Sequence, residues 1–213
     1  MTRTLLIVGH PRPDSLTSQV AALARRRLEA AGDAVDLLDL YAEDFDPRLT
    51  TADEPEWGNR DKRYSEDTHA HMRRFEEADQ VIVVFPVWWF GPPAIVKGWI
   101  DRVWNYGFAY GASRRRLSGK RILWLGLAGG TAAYYEKSGF GHLIDQQLRV
   151  GLSEFCGLDE AQVRLLYGAE FSGIPEEQHA ARAAEVFGAA ETALTGFGLP
   201  GARTPRETGP VRV

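Results

Sequence analysis

Cysteine is almost missing from this chain. Cys156 stands alone among 213 residues, which excludes an internal disulfide framework and makes a reducing, cytoplasmic setting the expectation. Placed in Phe155-Cys156-Gly157, it reads as a small buried hydrophobe rather than a nucleophile. No apolar run approaches the length of a membrane span, and the expected first strand begins at once, with no signal peptide before it. A strong charge of either sign is also missing: 25 Lys and Arg against 29 Asp and Glu give a net charge of −4, which offers nothing to nucleic acid or an anionic membrane. Neither a Walker lysine loop nor a GxGxxG fingerprint occurs, and no Ser/His/Asp set is convincing. His69 and His71, two apart on a polar segment, are too little for a metal site, so none is expected. There is no internal repeat.

What is present is a regular alternation. Apolar runs predict strands over Arg3–Gly9, Ala34–Leu40, Gln80–Phe85, Lys120–Leu127 and Ala161–Tyr167, the third and fourth nearly unbroken, as buried parallel strands are. Helical spacing predicts helices between Ser15 and Gly32, over Asp67–Ala78, after Pro92-Pro93, over Leu143–Phe155 and over Glu176–Leu194. Five strands alternating with helices predict an α/β doubly wound parallel sheet of flavodoxin-like order 2-1-3-4-5, which binds flavin where the first and third strands diverge. The domain is expected to cover residues 1–196, and the Gly/Pro/Arg-rich tail 197–213 to pack on a dimer. The long polar connection 41–66 reads as functional or mobile. Arg114, Arg115 and Arg116 read as a solvated face, with a nucleotide-phosphate or interface contact as the alternative.

The stretch from Pro86 to Tyr110 holds most of the unusual chemistry. Trp88, Trp89 and Phe90 follow the third strand in a turn with Gly91, Pro92 and Pro93. Their position suggests a flat ligand, or else a hydrophobic lid on the core. Val96, Trp99, Ile100 and Val103 make one apolar helix face. Trp104, Tyr106, Phe108 and Tyr110 exceed what one helix needs, so they are expected to line a pocket or meet a second subunit. Gly129 and Gly130 follow the fourth strand and free the backbone to turn its N–H groups toward a ligand, or simply to turn. Tyr134, Tyr135, Gly139, Gly141 and His142 are expected in the loop after them. The loops after the first, third and fourth strands open on one edge of such a sheet, which raises a flavin site above the lid.

These stretches resemble the NAD(P)H:quinone oxidoreductases, dimeric flavodoxin-like enzymes that bind FAD. The likeness is carried by LLIVGHPRPDSLT, DLYAEDFDP, FPVWWFGPPAIVKGWIDRVWNYGFAY, the Gly129-Gly130 turn with Tyr135, and FCG at 155–157. It implies that His10, Ser15, Leu16 and Thr17 hold the phosphate and ribityl side of the cofactor. Pro86, Val87, Trp89 and Phe90 would border the isoalloxazine, with Trp88 beside them, and Gly129 and Gly130 would donate N–H groups at its pyrimidine end. Tyr135 and His142 are implied as catalytic donors, although the family histidine falls one position before His142. Phe108, Tyr110 and Phe155 are implied at the substrate, Phe108 and Tyr110 reaching over the flavin of a partner subunit. Thr17 departs from a common asparagine, and Leu127-Ala128 from a pair of threonines. The implied cofactor is FAD, with FMN as the alternative. The implied reaction passes a hydride from NAD(P)H through the flavin to a quinone. Azo-, nitro- or flavin reduction, or a non-catalytic flavin-binding carrier or regulatory subunit, stands as the alternative function.

Overall fold

Strand residues alternate between two buried faces, and that alternation builds the molecule. The computed structural model describes residues 1–111 and 116–199. Its strands are β1 (Arg3–Val8), β2 (Ala34–Asp39), β3 (Gln80–Pro86), β4 (Arg121–Leu127) and β5 (Glu160–Leu166), all parallel, in the order β2-β1-β3-β4-β5. Helices α1 (Leu16–Ala30) and α6 (Glu176–Gly196) cover one face; α2 (Glu66–Glu77), α3 (Ala94–Val103) and α5 (Phe140–Asp145) cover the other. Leu6, Val8, Ile82, Val84, Leu123 and Leu125 point to α1 and α6, while Leu5, Ile7, Val81, Val83, Ile122 and Trp124 point to α2 and α3. The expected fold and strand order are therefore present.

Ser15 caps α1: its Oγ accepts the Ser18 amide at 3.1 Å. In α3, Val96, Trp99, Ile100 and Val103 are buried as the spacing predicts. Gly98 lets the connection after β2 lie directly on this helix, since a Cβ there would stand 2.2 Å from the Pro47 carbonyl oxygen.

The 41–66 connection is not a loose loop. Arg102 of α3 reaches Asp53 with Nε at 3.0 Å, donates to the Asp46 carbonyl at 2.6 Å, and lies over the Phe45 ring. Asp53 also accepts the Ser65 amide at 2.8 Å and hydroxyl at 3.0 Å, and its own carbonyl takes a bond from Asn105. Burial pushes the Asp53 carboxyl up, but these donors outweigh it and hold the group below the usual carboxylate range.

Three further expectations change. Trp104 and Phe108 pack into their own core against Phe75, so the aromatic surplus is smaller than the sequence implies. Residues 132–154 are helical almost throughout. Thr131 caps α4 (Ala132–Ser138), α5 follows Gly139, and a π-helical segment runs from Gln146 to Glu154. The domain also passes residue 196: Phe197 and Leu199 are buried, with the Arg121 guanidinium 3.9 Å over the Phe197 ring. The tail from Pro200, and Arg114 and Arg115, lie outside the described residues. No described helix is long and apolar enough to cross a membrane.

Cys156 is buried, and burial alone pushes its thiol up to about 12. A thiol protonated at pH 8 is a poor nucleophile. Native protein is expected to take up no iodoacetamide at that pH, and one equivalent once denatured; mass spectrometry reads both.

Candidate active site

The carboxyl ends of β1, β3, β4 and β5 open on one edge, and the chain leaving each contributes to a single cleft of about 620 Å³. His10, Ser15, Leu16 and Thr17 form one end; Pro86, Val87, Trp88 and Leu127 form its apolar middle, and Gly129 lies beyond them. Gly9 admits this geometry, because a Cβ there would meet Val96 of α3 at 2.3 Å.

At the α1 end, Ser15 caps the helix, while the amides of Leu16 and Thr17 donate to no acceptor among the described residues. Such a helix start attracts an anion. His10 accepts the Arg12 amide on Nδ1 at 3.1 Å, and burial lowers its pKa, so the neutral ring carries its proton on Nε2. The amides of Gly129 and Gly130 likewise have no acceptor among the described residues. The Glu170 carboxylate lies against Gly129, where a Cβ would come within 2.8 Å of its oxygen.

Trp88 and Gly91 exchange backbone hydrogen bonds at 3.0 and 3.1 Å, closing a two-residue turn over Trp89 and Phe90. Both central residues have left-handed φ, 50° and 59°. That is the φ pattern of a type I′ turn, where Asn-Gly is usual. Holding two bulky aromatics there costs about 1–2 kcal/mol each. Trp89 is 95% exposed, whereas Phe90 lies flat on Phe140, centroids 3.6 Å apart. Tyr135 stands edge-on to Phe90 at 5.9 Å and is only 4% exposed. Its ring covers Gly130, no hydrogen bond reaches its hydroxyl among the described residues, and burial raises its pKa.

His142 is not brought to this group. Phe140 and Ile144 turn inward, and residues two apart on a helix face opposite ways, so His142 is exposed. Tyr110 and Phe155 do meet, at 5.8 Å, whereas buried Phe108 offers no surface to a substrate within its own chain. Reasoning from sequence missed Gln19, Ala169, Glu170, Phe171 and Ala183, which complete the cleft. The one available signal was positional: the loop after β5 opens on the same edge. Among the described residues no His, Cys, Asp or Glu group could hold a metal ion.

Residues 2–190 match the family model described as a flavodoxin-like fold. An NAD(P)H oxidoreductase of Escherichia coli, YcaK, is 39% identical over 84% of this chain and 89% of its own length. Mouse ribosyldihydronicotinamide dehydrogenase [quinone] is 31% identical over 83% of this chain and 86% of its own. The solved NAD(P)H:quinone oxidoreductase of Methanothermobacter marburgensis superposes with a TM-score of 0.76 at 23% identity, covering 91% of this chain and 95% of that one. The fold defines a flavodoxin-like protein, with the cleft at the carboxyl edge of its sheet. The chain belongs to the NAD(P)H:quinone oxidoreductase family.

Proposed function

We propose that this chain is a flavin-dependent NAD(P)H:quinone oxidoreductase. The observation that carries the reading is the placement of four unpartnered amides. Leu16 and Thr17 offer theirs at one end of the cleft, and Gly129, with Gly130 next to it in the chain, beyond its apolar middle. A phosphate suits the first pair and the polar edge of a ring the second, so the residues present fit a flavin nucleotide. A bound flavin supplies the two-electron hydride chemistry. His10 Nε2–H and the α1 amides bind its phosphate, Pro86, Val87 and Trp88 orient the ring with Trp89 and Phe90 beside them, and Gly129 and Gly130 steady charge at its far edge. Tyr135 keeps its proton and donates from a nearly dry position. FAD is favoured over FMN on the family resemblance alone. Purified protein should be yellow, bleach with NADPH without oxygen, and regain its colour on adding a quinone. Failure of NAD(P)H to bleach bound flavin would remove the reading. A panel of quinones, azo dyes and nitroaromatics would then rank the acceptors.

The working unit in this reading is a homodimer. Trp57 and Phe155 are 72% and 69% exposed, and Tyr106 and Tyr110 join them in one aromatic strip with centroid spacings of 5.4, 5.8 and 5.8 Å. A twofold pairing buries that strip and sets Tyr110 and Phe155 over the partner's flavin, under which nicotinamide and quinone alternate. Sedimentation at micromolar concentration should give twice the chain mass; a single species near 23.7 kDa refutes the dimer.

A further inference from the structure

Five cations outside the flavin cleft gather in one place. Arg60, Lys62, Arg63, Arg73 and Arg116 line a second cleft, of about 310 Å³, opposed there only by Asp61 and Glu76. This runs against the net charge of −4 carried by the chain. Arg63 lies 3.9 Å from Glu66 and Arg116 lies 3.3 Å from Glu76, while the Lys62 ammonium bonds the carbonyls of Thr51 and Glu54. Arg60 and Arg73 have no carboxylate within ion-pair distance among the described residues.

The walls of this cleft are fixed. The Tyr64 hydroxyl donates to the Tyr106 carbonyl at 2.7 Å, and the Tyr64 amide to His69 Nε2 at 3.2 Å. Gly107, at φ 81°, sits so close to the Arg60 carbonyl that a Cβ would stand 2.4 Å from it. One wall is also shared. Tyr106 lies 5.8 Å from Tyr110, which lies 5.8 Å from Phe155. The cationic cleft thus adjoins, through Tyr106, the aromatic strip that carries Tyr110 and Phe155.

We propose that this cleft holds the 2′-phosphate of NADPH and makes NADPH the preferred hydride donor over NADH. The inference rests on the hydride-donor reading above. A phosphate monoester dianion matches two guanidinium groups without carboxylates, and the adenosine it hangs from matches the tyrosine wall. A merely solvated set of arginines would bind any phosphate weakly, whatever nucleoside carried it.

Calorimetry on the flavin-loaded protein, with adenosine 2′-monophosphate, adenosine 5′-monophosphate and inorganic phosphate at one ionic strength, tests this directly. The 2′-monophosphate should bind at least about tenfold tighter than the other two, and Arg60→Ala or Arg73→Ala should each remove about tenfold. Arg73→Lys should restore part of the loss. In turnover, Arg73→Ala should raise KM for NADPH about tenfold and leave KM for NADH unchanged. Equal binding of the three probes, or equal KM changes for both donors, overturns the proposal. If neither donor supports turnover while the 2′-monophosphate still binds selectively through Arg73, the phosphate site stands and the reductase reading falls instead.

Discussion

Arg102→Ala should lower the stability of the folded chain by about 3–5 kcal/mol, because it leaves the buried Asp53 carboxylate without its cation. Arg102 and Asp53 are almost fully buried, and one guanidinium ties together Asp46, Asp53 and Asp67. Urea unfolding followed by tryptophan fluorescence reads the loss; a change under about 1 kcal/mol would show that the connection after β2 does not depend on this pair. The pH dependence has a definite sign. The Asp53 carboxyl is held below its ordinary value, so its contribution is present above about pH 4 and disappears as pH falls through the lowered folded value. Asp53→Asn should weaken the protein at neutral pH and flatten its acid limb.

Tyr135→Phe should slow reduction of bound flavin by NAD(P)H by about ten- to a hundredfold, the range expected for one lost donor of about 1–3 kcal/mol. The hydroxyl is the only part removed; the ring keeps its packing against Phe90, Phe140 and Tyr167. Flavin content should therefore stay unchanged. Stopped-flow absorbance separates the two quantities, and an unaltered reductive half-reaction would take Tyr135 out of the mechanism. His142→Ala serves as the contrast. An exposed ring on the outer side of α5 should leave the rate within about twofold.

The sheet was legible because buried parallel strands leave nearly continuous apolar runs, and Val81 to Phe85 is as plain an instance as the chain contains. Helix α3 was legible for the matching reason, one apolar face at helical spacing. The connection 41–66 was not, since what orders it is long-range: Asp53 and Arg102 are 49 residues apart and look solvated in isolation. Helix α4 and the start of α5 were hidden by glycines and tyrosines that read as loop, whereas the helical stretch from Leu143 onward was legible. The local signal was Thr131, whose hydroxyl accepts the Tyr134 amide at 3.2 Å. Nothing local announces a π-helical segment; Trp124 Nε1 bonding Ser153 Oγ at 3.0 Å pins it from the sheet. The loops that line the cleft were found by their shared edge, but aromatic residues alone did not reveal that Phe108 is buried and Tyr110 only half-buried.

The turn over Trp89 and Phe90 carries an evolutionary consequence. Glycine or asparagine at the exposed Trp89 would relax a left-handed backbone and raise stability, so drift unopposed by ligand binding should run that way. A lineage that abandons the cofactor should lose this tryptophan early, while Phe90, stacked on Phe140, persists with β3 and α3 as ordinary core. The identity of one residue then dates the loss of redox function in a descendant, before any change in its fold.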